Sequence, residues 1–185
     1  MNDFFLANNE SLLHTFIDQK IEVKQIQVKN LDRFAQYANK IKDELKSYSV
    51  ETITPLVEPQ ILNIMGMCSM VTTIRPESFE ENLEQPTAIA ELVLKIIEVN
   101  KEFFKKEEKE TDSKDSSWFN AFAYLVKMGH KHDDIMNMSY GAFLQYIKEG
   151  HAVERQQVKS YAIAQRMAAG ANKRDWEKYL KQLDG

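Results

Sequence analysis

The residues best suited to chemistry lie in one short run, His130-Lys131-His132-Asp133-Asp134, with His151 further along the chain. Imidazole and carboxylate groups are metal ligands, so the run could in principle hold a metal ion. Its H-x-H-D-D spacing, however, matches none of the structural or catalytic zinc patterns, and turns and helix caps use the same residue types. We therefore predict no metal, cofactor or catalytic residue. A metal-dependent enzyme that uses His130, His132 and Asp133 is kept as an alternative.

The single cysteine, Cys68, excludes an internal disulfide and any zinc site built from several thiolates. No Lys, Arg or His occurs between Ile61 and Thr73 to activate this thiol, so Cys68 is predicted to be a small core residue. The sequence also contains no G-x-S-x-G, phosphate-binding loop, dinucleotide fingerprint or H-E-x-x-H. These observations favour a protein that is not an enzyme and acts by binding.

The passage from Gly129 to Ser139 resembles the turn of a helix-turn-helix motif, which would indicate DNA binding. The candidate recognition helix, Ser139–Glu149, has Lys148 as its only cation, and the preceding turn of helix carries two aspartates. Phosphate contacts need several Lys or Arg side chains. We therefore predict no nucleic-acid partner and keep a helix-turn-helix-like DNA-binding regulator as the first alternative, ahead of the metal-dependent enzyme.

The composition predicts a globular, mainly helical chain. Of 185 residues, 43% are hydrophobic and 28% charged, whereas only 6 are Gly and 4 are Pro, too few for many short strands joined by turns. No run of 18 apolar residues occurs, and the N-terminal segment lacks the positive charge of a secretory signal. An intracellular protein without a membrane partner is expected.

Hydrophobic periodicity predicts an N-terminal α+β domain at residues 1–104, in which a small β-hairpin packs on helices. The hairpin is expected within residues 15–28, with its turn at 18–20 and a second strand that either contains a bulge or ends early. Helices are predicted at 31–46, at 60–73 and from Pro86 to Phe104, and a loop at 47–59. Asn100 falls on the apolar side of the last helix and is expected to hydrogen-bond a neighbouring backbone.

Residues 105–117 contain nine charges and no apolar side chain, and they are predicted to be a linker. The remaining residues, 118–185, are predicted to form a small all-α domain. Capping residues predict five helices in this domain. The first ends at Gly129, a short second one lies around Asp133–Asn137, and the third ends at Gly150. The fourth spans 152–169, and the fifth follows Asn172. The net charge changes sign across the linker, from −6 for residues 1–104 to +3 for 118–185.

The order of these features resembles the tail assembly chaperones of long-tailed bacteriophages. In the first part the resemblance is carried by the hairpin-like Ile21–Val28, by the helix that follows Asn30, and by a long helix ending Glu98-Val99-Asn100-Lys101-Glu102-Phe103-Phe104 before a charged break. The second part is similar to the extended form of those chaperones in its Gly129–Ser139 passage and in the Ala-rich helix around Tyr161-Ala162-Ile163-Ala164.

This resemblance implies a non-catalytic chaperone in the host cytoplasm that is absent from the mature virion. Such a protein binds the helical tape-measure protein through its first domain and recruits tail tube subunits through its second. Association of the chain with further copies of itself, as a homo-oligomer, is also compatible with the sequence. The candidate protein-binding residues belong to Met-rich and aromatic stripes, for which an ordinary core role is the alternative interpretation. They are Ile64, Met67, Met70, Tyr140, Phe143 and Tyr146.

Overall fold

The structure is a computed structural model in which residues 3–75, 77–105, 117–170 and 172–183 are described. The chain is mainly helical with one small β-hairpin near its N-terminus, so the predicted fold class is confirmed. The two strands are β1 (Leu12–Phe16) and β2 (Gln19–Val23). The helices are α1 (Asp3–Ala7), α2 (Leu31–Glu44), α3 (Val50–Ile53), α4 (Ile61–Val71), α5 (Glu77–Glu80), α6 (Pro86–Val99), α7 (Lys101–Phe104), α8 (Trp118–Lys127), α9 (His132–Asn137), α10 (Tyr140–Gly170) and α11 (Lys173–Leu183).

The hairpin is antiparallel, and its register runs from Leu12 opposite Val23 to Phe16 opposite Gln19. Its turn therefore lies at Ile17-Asp18, slightly before the predicted 18–20, and the predicted first strand begins earlier than residue 15. The second strand ends early, which was one of the two predicted outcomes. Beyond Val23 the backbone leaves β1, and the Lys24 N–H donates to the Val71 carbonyl (2.7 Å) at the end of α4.

Three helices supply most of the core of the first compact unit, Met1–Gln145. The predicted apolar stripe of α2 and one face of α6 are buried. Helix α4, predicted to be buried all round, buries one side only, and its Leu62 is exposed. The segment 47–59, predicted as a loop, instead contains α3 and a short 3₁₀ turn, Thr54–Leu56. The helix forms because Ser49 and Thr52 exchange hydrogen bonds in a capping box, which satisfies two backbone N–H groups.

Asn100 is buried at the end of α6 and hydrogen-bonds backbone groups on both sides, as predicted. The Ile26 N–H donates to Asn100 Oδ1 (2.7 Å), and Asn100 Nδ2 donates to the carbonyl oxygens of Lys24 (3.2 Å) and Ile96 (3.1 Å). The amide therefore joins the helix to the chain that leaves β2. One residue satisfies polar backbone groups that would otherwise be buried without partners.

The first compact unit extends beyond the domain boundary predicted within 105–117. Helices α8 and α9 and the first turn of α10 belong to it, and backbone hydrogen bonds join residues 26–28 to residues 138–140. The Val28 N–H donates to the Met138 carbonyl (3.1 Å), and the Tyr140 N–H donates to the Ile26 carbonyl (2.8 Å). The predicted linker lies outside the described residues except for its two ends, Lys105 and Ser117.

The predicted helix ends beyond residue 117 are partly confirmed. Gly129 follows α8 with φ +99°, and the Asp175 N–H donates to Asn172 Oδ1 (3.0 Å) at the start of α11, as predicted for cap positions. The predicted stop at Gly150 is wrong, because α10 continues through it to Gly170. A glycine within a helix costs only about 1 kcal/mol, which its neighbours can offset. Residues Tyr146–Gly185 form the second compact unit.

Within the described part of the chain, no helix combines the length and apolarity needed to span a bilayer.

We predict that Asn100→Ala lowers the free energy of unfolding by about 1–3 kcal/mol, because the Ile26 N–H would remain buried without an acceptor. Urea unfolding followed by circular dichroism measures the loss. The matched control is Asn39→Ala on the exposed side of α2, for which we expect a change within about 0.5 kcal/mol. Equal effects of the two substitutions would show that the Asn100 amide does not stabilise the fold.

A second prediction concerns the close approach of α2 and α4. A Cβ added at Gly66 would lie 2.6 Å from the ring of Tyr37, closer than carbon atoms can pack. We therefore expect Gly66→Ala to destabilise the protein by about 1–3 kcal/mol despite the better helix propensity of alanine. Gly170→Ala is the control, since nothing lies within 4 Å of its Cβ position. A stabilising Gly66→Ala substitution in thermal unfolding would contradict this packing.

Candidate protein-binding surface

The six predicted binding residues lie in different environments. Ile64 and Met67 are fully buried in the core of the first unit, and Phe143 is buried beneath α8, so these three match the alternative core interpretation. Met70 and Tyr140 are half-buried. Tyr146 is 43% exposed and belongs to the second unit. The Met-rich segment therefore offers a partner little surface, whereas Tyr140 borders an open groove.

The groove lies in the first unit, between the first turns of α2 on one side and α8 and α9 on the other, and has a volume of about 440 Å³. Most of its walls are apolar or aromatic, and Lys29 and Asp32 are its charged residues. The complete lining is Val28, Lys29, Leu31, Asp32, Ala35, Phe103, Trp118, Phe122, Met136 and Tyr140. A volume of this size falls within the range of roughly 300–1,000 Å³ typical of ligand pockets.

Aromatic contacts hold the groove walls in place. The ring of Trp118 lies 5.7 Å from that of Phe143 and 6.3 Å from that of Tyr140, and Tyr140 in turn lies 6.4 Å from Phe103. Phe103 packs edge-on against the buried Phe34 of α2 (5.1 Å). This chain of tilted and edge-on aromatic contacts connects α8 to the core.

The polar residues at the rim are already engaged in hydrogen bonds. Lys29 Nζ donates to Asn137 Oδ1 (2.6 Å), and Asp32 accepts from Gln36 Nε2 (3.4 Å). The charges of Lys29 and Asp32 also oppose each other in sign. The groove thus presents an apolar surface with little net charge, which suits an apolar segment of another protein better than a charged ligand.

Helix α8 extends this apolar surface outward. Its ten residues carry one charge, Lys127, and Leu125 is its one buried residue. Trp118 is 50% exposed, Phe119 is 80% exposed and Val126 is about half exposed. Exposed aromatic side chains grouped beside an apolar groove are typical of protein-binding surfaces. The sequence predicts a helix here, but Trp118, Phe119 and Val126 are not among the six predicted binding residues. A helix with one charge and apolar residues around most of its circumference was the signal that could have identified them.

The residues of the histidine run lie in different environments. His130 is half-buried, whereas His132, Asp133 and Asp134 are exposed, and the imidazole of His132 lies edge-on to Phe122 with 6.4 Å between ring centroids. Among the described residues, no three His, Cys, Asp or Glu side chains converge as metal ligands. The run instead forms the connection from α8 into α9.

Cys68 is fully buried in α4, and burial raises the pKa of its thiol well above the ordinary value. A thiol in this environment remains protonated, so it lacks the thiolate that nucleophilic or metal-binding chemistry requires. The predicted role as a small core residue agrees with this environment.

The N-terminal turn of α10, which a helix-turn-helix protein would insert into DNA, is packed within the first unit. Ser139 is buried, its Oγ donates to the Leu6 carbonyl (3.2 Å), and it accepts from the Ala142 N–H (3.2 Å). Ala142 and Phe143 are buried as well. Base-edge contacts require the exposed N-terminal residues of the recognition helix, so this packing disfavours the DNA-binding alternative.

Comparisons of the chain with family models, with curated proteins and with solved structures found no match.

We predict that exposed and buried aromatics of this region respond differently to substitution. Phe119→Ser should change the free energy of unfolding by less than about 0.5 kcal/mol, because its side chain is largely in solvent. Phe143→Ala should cost about 3–5 kcal/mol by leaving a cavity under α8. Denaturant titration measures both. A large loss for Phe119→Ser would show that its side chain stabilises the fold and is not available to a partner.

Proposed function

We propose that this protein is a non-catalytic phage tail assembly chaperone that binds the tape-measure protein and recruits tail tube subunits in the host cytoplasm. The observation that carries the proposal is the groove of the first unit, with Trp118 and Phe119 exposed beside it. A second support is the resemblance in the order of sequence features described above. The proposal includes absence of the protein from the mature virion.

The shape and chemistry of the groove suit the apolar stripe of a helix. A tape-measure protein of the kind implied by the resemblance is long and helical. Before the tube surrounds it, the apolar residues of its helices would be exposed to water unless another protein binds them. An amphipathic helix places such residues at i, i+3, i+4 and i+7, and a groove next to an apolar helix face can receive them in succession. Trp118 and Tyr140 would contact the first apolar side chains of the client helix, and Phe119 would contact the next ones along its stripe.

Binding through this surface would be driven by apolar burial. Complete burial of a large apolar side chain contributes about 1.5–3 kcal/mol, and a few aromatic anchors commonly account for most of the affinity of an interface. Exposed aromatics also lose little conformational entropy on binding because they have only two side-chain torsions. Because only a few such contacts would form at one place on a long client, the chaperone would hold its client with an affinity that still allows tube subunits to displace it.

The alternative functions lack a comparable supporting observation. A DNA-binding regulator needs the first turn of α10, which is buried, and a metal-dependent enzyme needs ligands that converge around the histidine run. Protein binding therefore remains the function that the geometry favours.

The proposal is tested by co-expressing the affinity-tagged chain with the product of the tape-measure gene expected immediately downstream. We predict that the client becomes more soluble and is retained with the chain during purification. Phe119→Ser should reduce retention roughly tenfold, the loss expected for one exposed aromatic anchor.

The matched control is Leu62→Ser, which removes a similarly exposed apolar side chain (77%) that belongs to α4 and lies neither on α8 nor in the groove lining. Leu62→Ser should retain the client like the unaltered chain. If the unaltered chain retains no client, the proposed function is wrong. If both substitutions reduce retention equally, the client binds elsewhere on the surface.

A further inference from the structure

The second compact unit contains a cleft of its own, between the end of α10 and α11, with a volume of about 720 Å³. Its lining combines apolar or aromatic residues with charged ones. The lining residues are Ile163, Arg166, Met167, Gly170, Asp175, Lys178 and Tyr179. Asn172 caps α11, because its Oδ1 accepts a hydrogen bond from the Asp175 N–H (3.0 Å).

The cations of this cleft are not neutralised. Arg166 and Lys178 form no ion pair or hydrogen bond with any described residue. The Asp175 carboxylate, in contrast, already accepts a hydrogen bond from Asn172 Nδ2 (2.9 Å). The described residues from 146 onward carry eight Lys or Arg and four Asp or Glu, a formal charge of +4. The cleft therefore offers positive charge to a partner.

Apolar side chains adjoin these cations. Ile163 and Met167 line the α10 wall, and Tyr179 lines the α11 wall. Trp176 and Leu180 continue the same apolar side of α11, and each is more than a third exposed. Apolar residues flanked by unpaired cations favour a ligand that brings apolar groups and carboxylates together.

We propose that this cleft binds an acidic amphipathic helix of a partner protein. Apolar residues of that helix would contact Ile163, Met167 and Tyr179, while carboxylates one turn away would pair with Arg166 and Lys178. The inference rests on the proposed protein-binding function, because it assigns a partner chemistry to the second unit.

Two other anionic partners fit less well. A bilayer presents a nearly flat surface, which would contact the exposed side of α11 but would not fill the cleft between α10 and α11. Single-stranded nucleic acid needs aromatic rings for base stacking along a cationic groove, whereas Ile163 and Met167 are aliphatic and acidic residues interrupt the cations of α11. A protein helix satisfies both the shape and the charge of the cleft.

The test uses the full chain and a fluorescent peptide of about 18 residues, five helical turns, with a leucine stripe flanked by glutamates. Fluorescence anisotropy measures its affinity, and a peptide with lysines in place of the glutamates is the probe control. We expect the acidic peptide to bind at least roughly tenfold more tightly than the lysine peptide, and added salt to weaken its binding by screening.

Charge-reversal variants locate the site. Arg166→Glu with Lys178→Glu should weaken acidic-peptide binding roughly tenfold, since two attractive contacts become repulsive. The matched control is Arg155→Glu with Lys159→Glu, which makes the same charge change at exposed positions of α10 that do not line the cleft. It should change the affinity less than about threefold. Ile163→Gln should also weaken binding by removing an apolar contact.

The inference is overturned if both peptides bind equally, if the control pair weakens binding as much as the cleft pair, or if anionic vesicles or a single-stranded oligonucleotide bind more tightly than the acidic peptide. Failure here is distinguishable from failure of the proposed function. If the acidic peptide does not bind but the tape-measure product still co-purifies with the chain, the cleft assignment is wrong and the chaperone function stands.

Discussion

The organisation of the first unit depends on the pairing of the Asn100 amide with the backbone around Ile26. Both backbone polar groups of Ile26 are used: its N–H donates to Asn100 Oδ1, and its carbonyl accepts from the Tyr140 N–H. A buried backbone group without a partner costs about 1–3 kcal/mol, so this segment is stable in the core only where both partners are present. Ile26, which belongs to the chain leaving β2, is thereby bonded both to the end of α6 and to the start of α10.

The groove is a consequence of this pairing. Asn100 lies at the break between α6 and α7, and α7 places Phe103 in one wall. Tyr140 joins the same lining directly after the backbone bond to Ile26, and the rings of Phe103 and Tyr140 contact each other edge-on with 6.4 Å between their centroids. A polar interaction in the core therefore positions the aromatic residues that a client would meet.

The sequence could predict what depends on local pattern. The apolar stripe of α2, the cap residues Asn172 and Gly129, and the hydrogen-bonding role of Asn100 follow from residue type and spacing. It could not predict the bridge between Gln27 and Ser139, because pairing over such a separation leaves no periodic signal. It also could not separate Met67, which is buried, from Phe119, which is exposed: both are large apolar residues at helical spacing, and the difference arises only from which neighbours pack on them.

The two proposed surfaces select partners by different physical interactions. The groove has little net charge, so affinity there would come from apolar burial, which depends weakly on ionic strength. The cleft carries unpaired cations, so affinity there would include a Coulomb contribution that salt screens over about 8 Å at physiological ionic strength. If both proposals hold, added salt would weaken the cleft contact more than the groove contact, so one chain would release its two partners under different conditions. An assembly chaperone that retains one client while recruiting a second protein needs this independence.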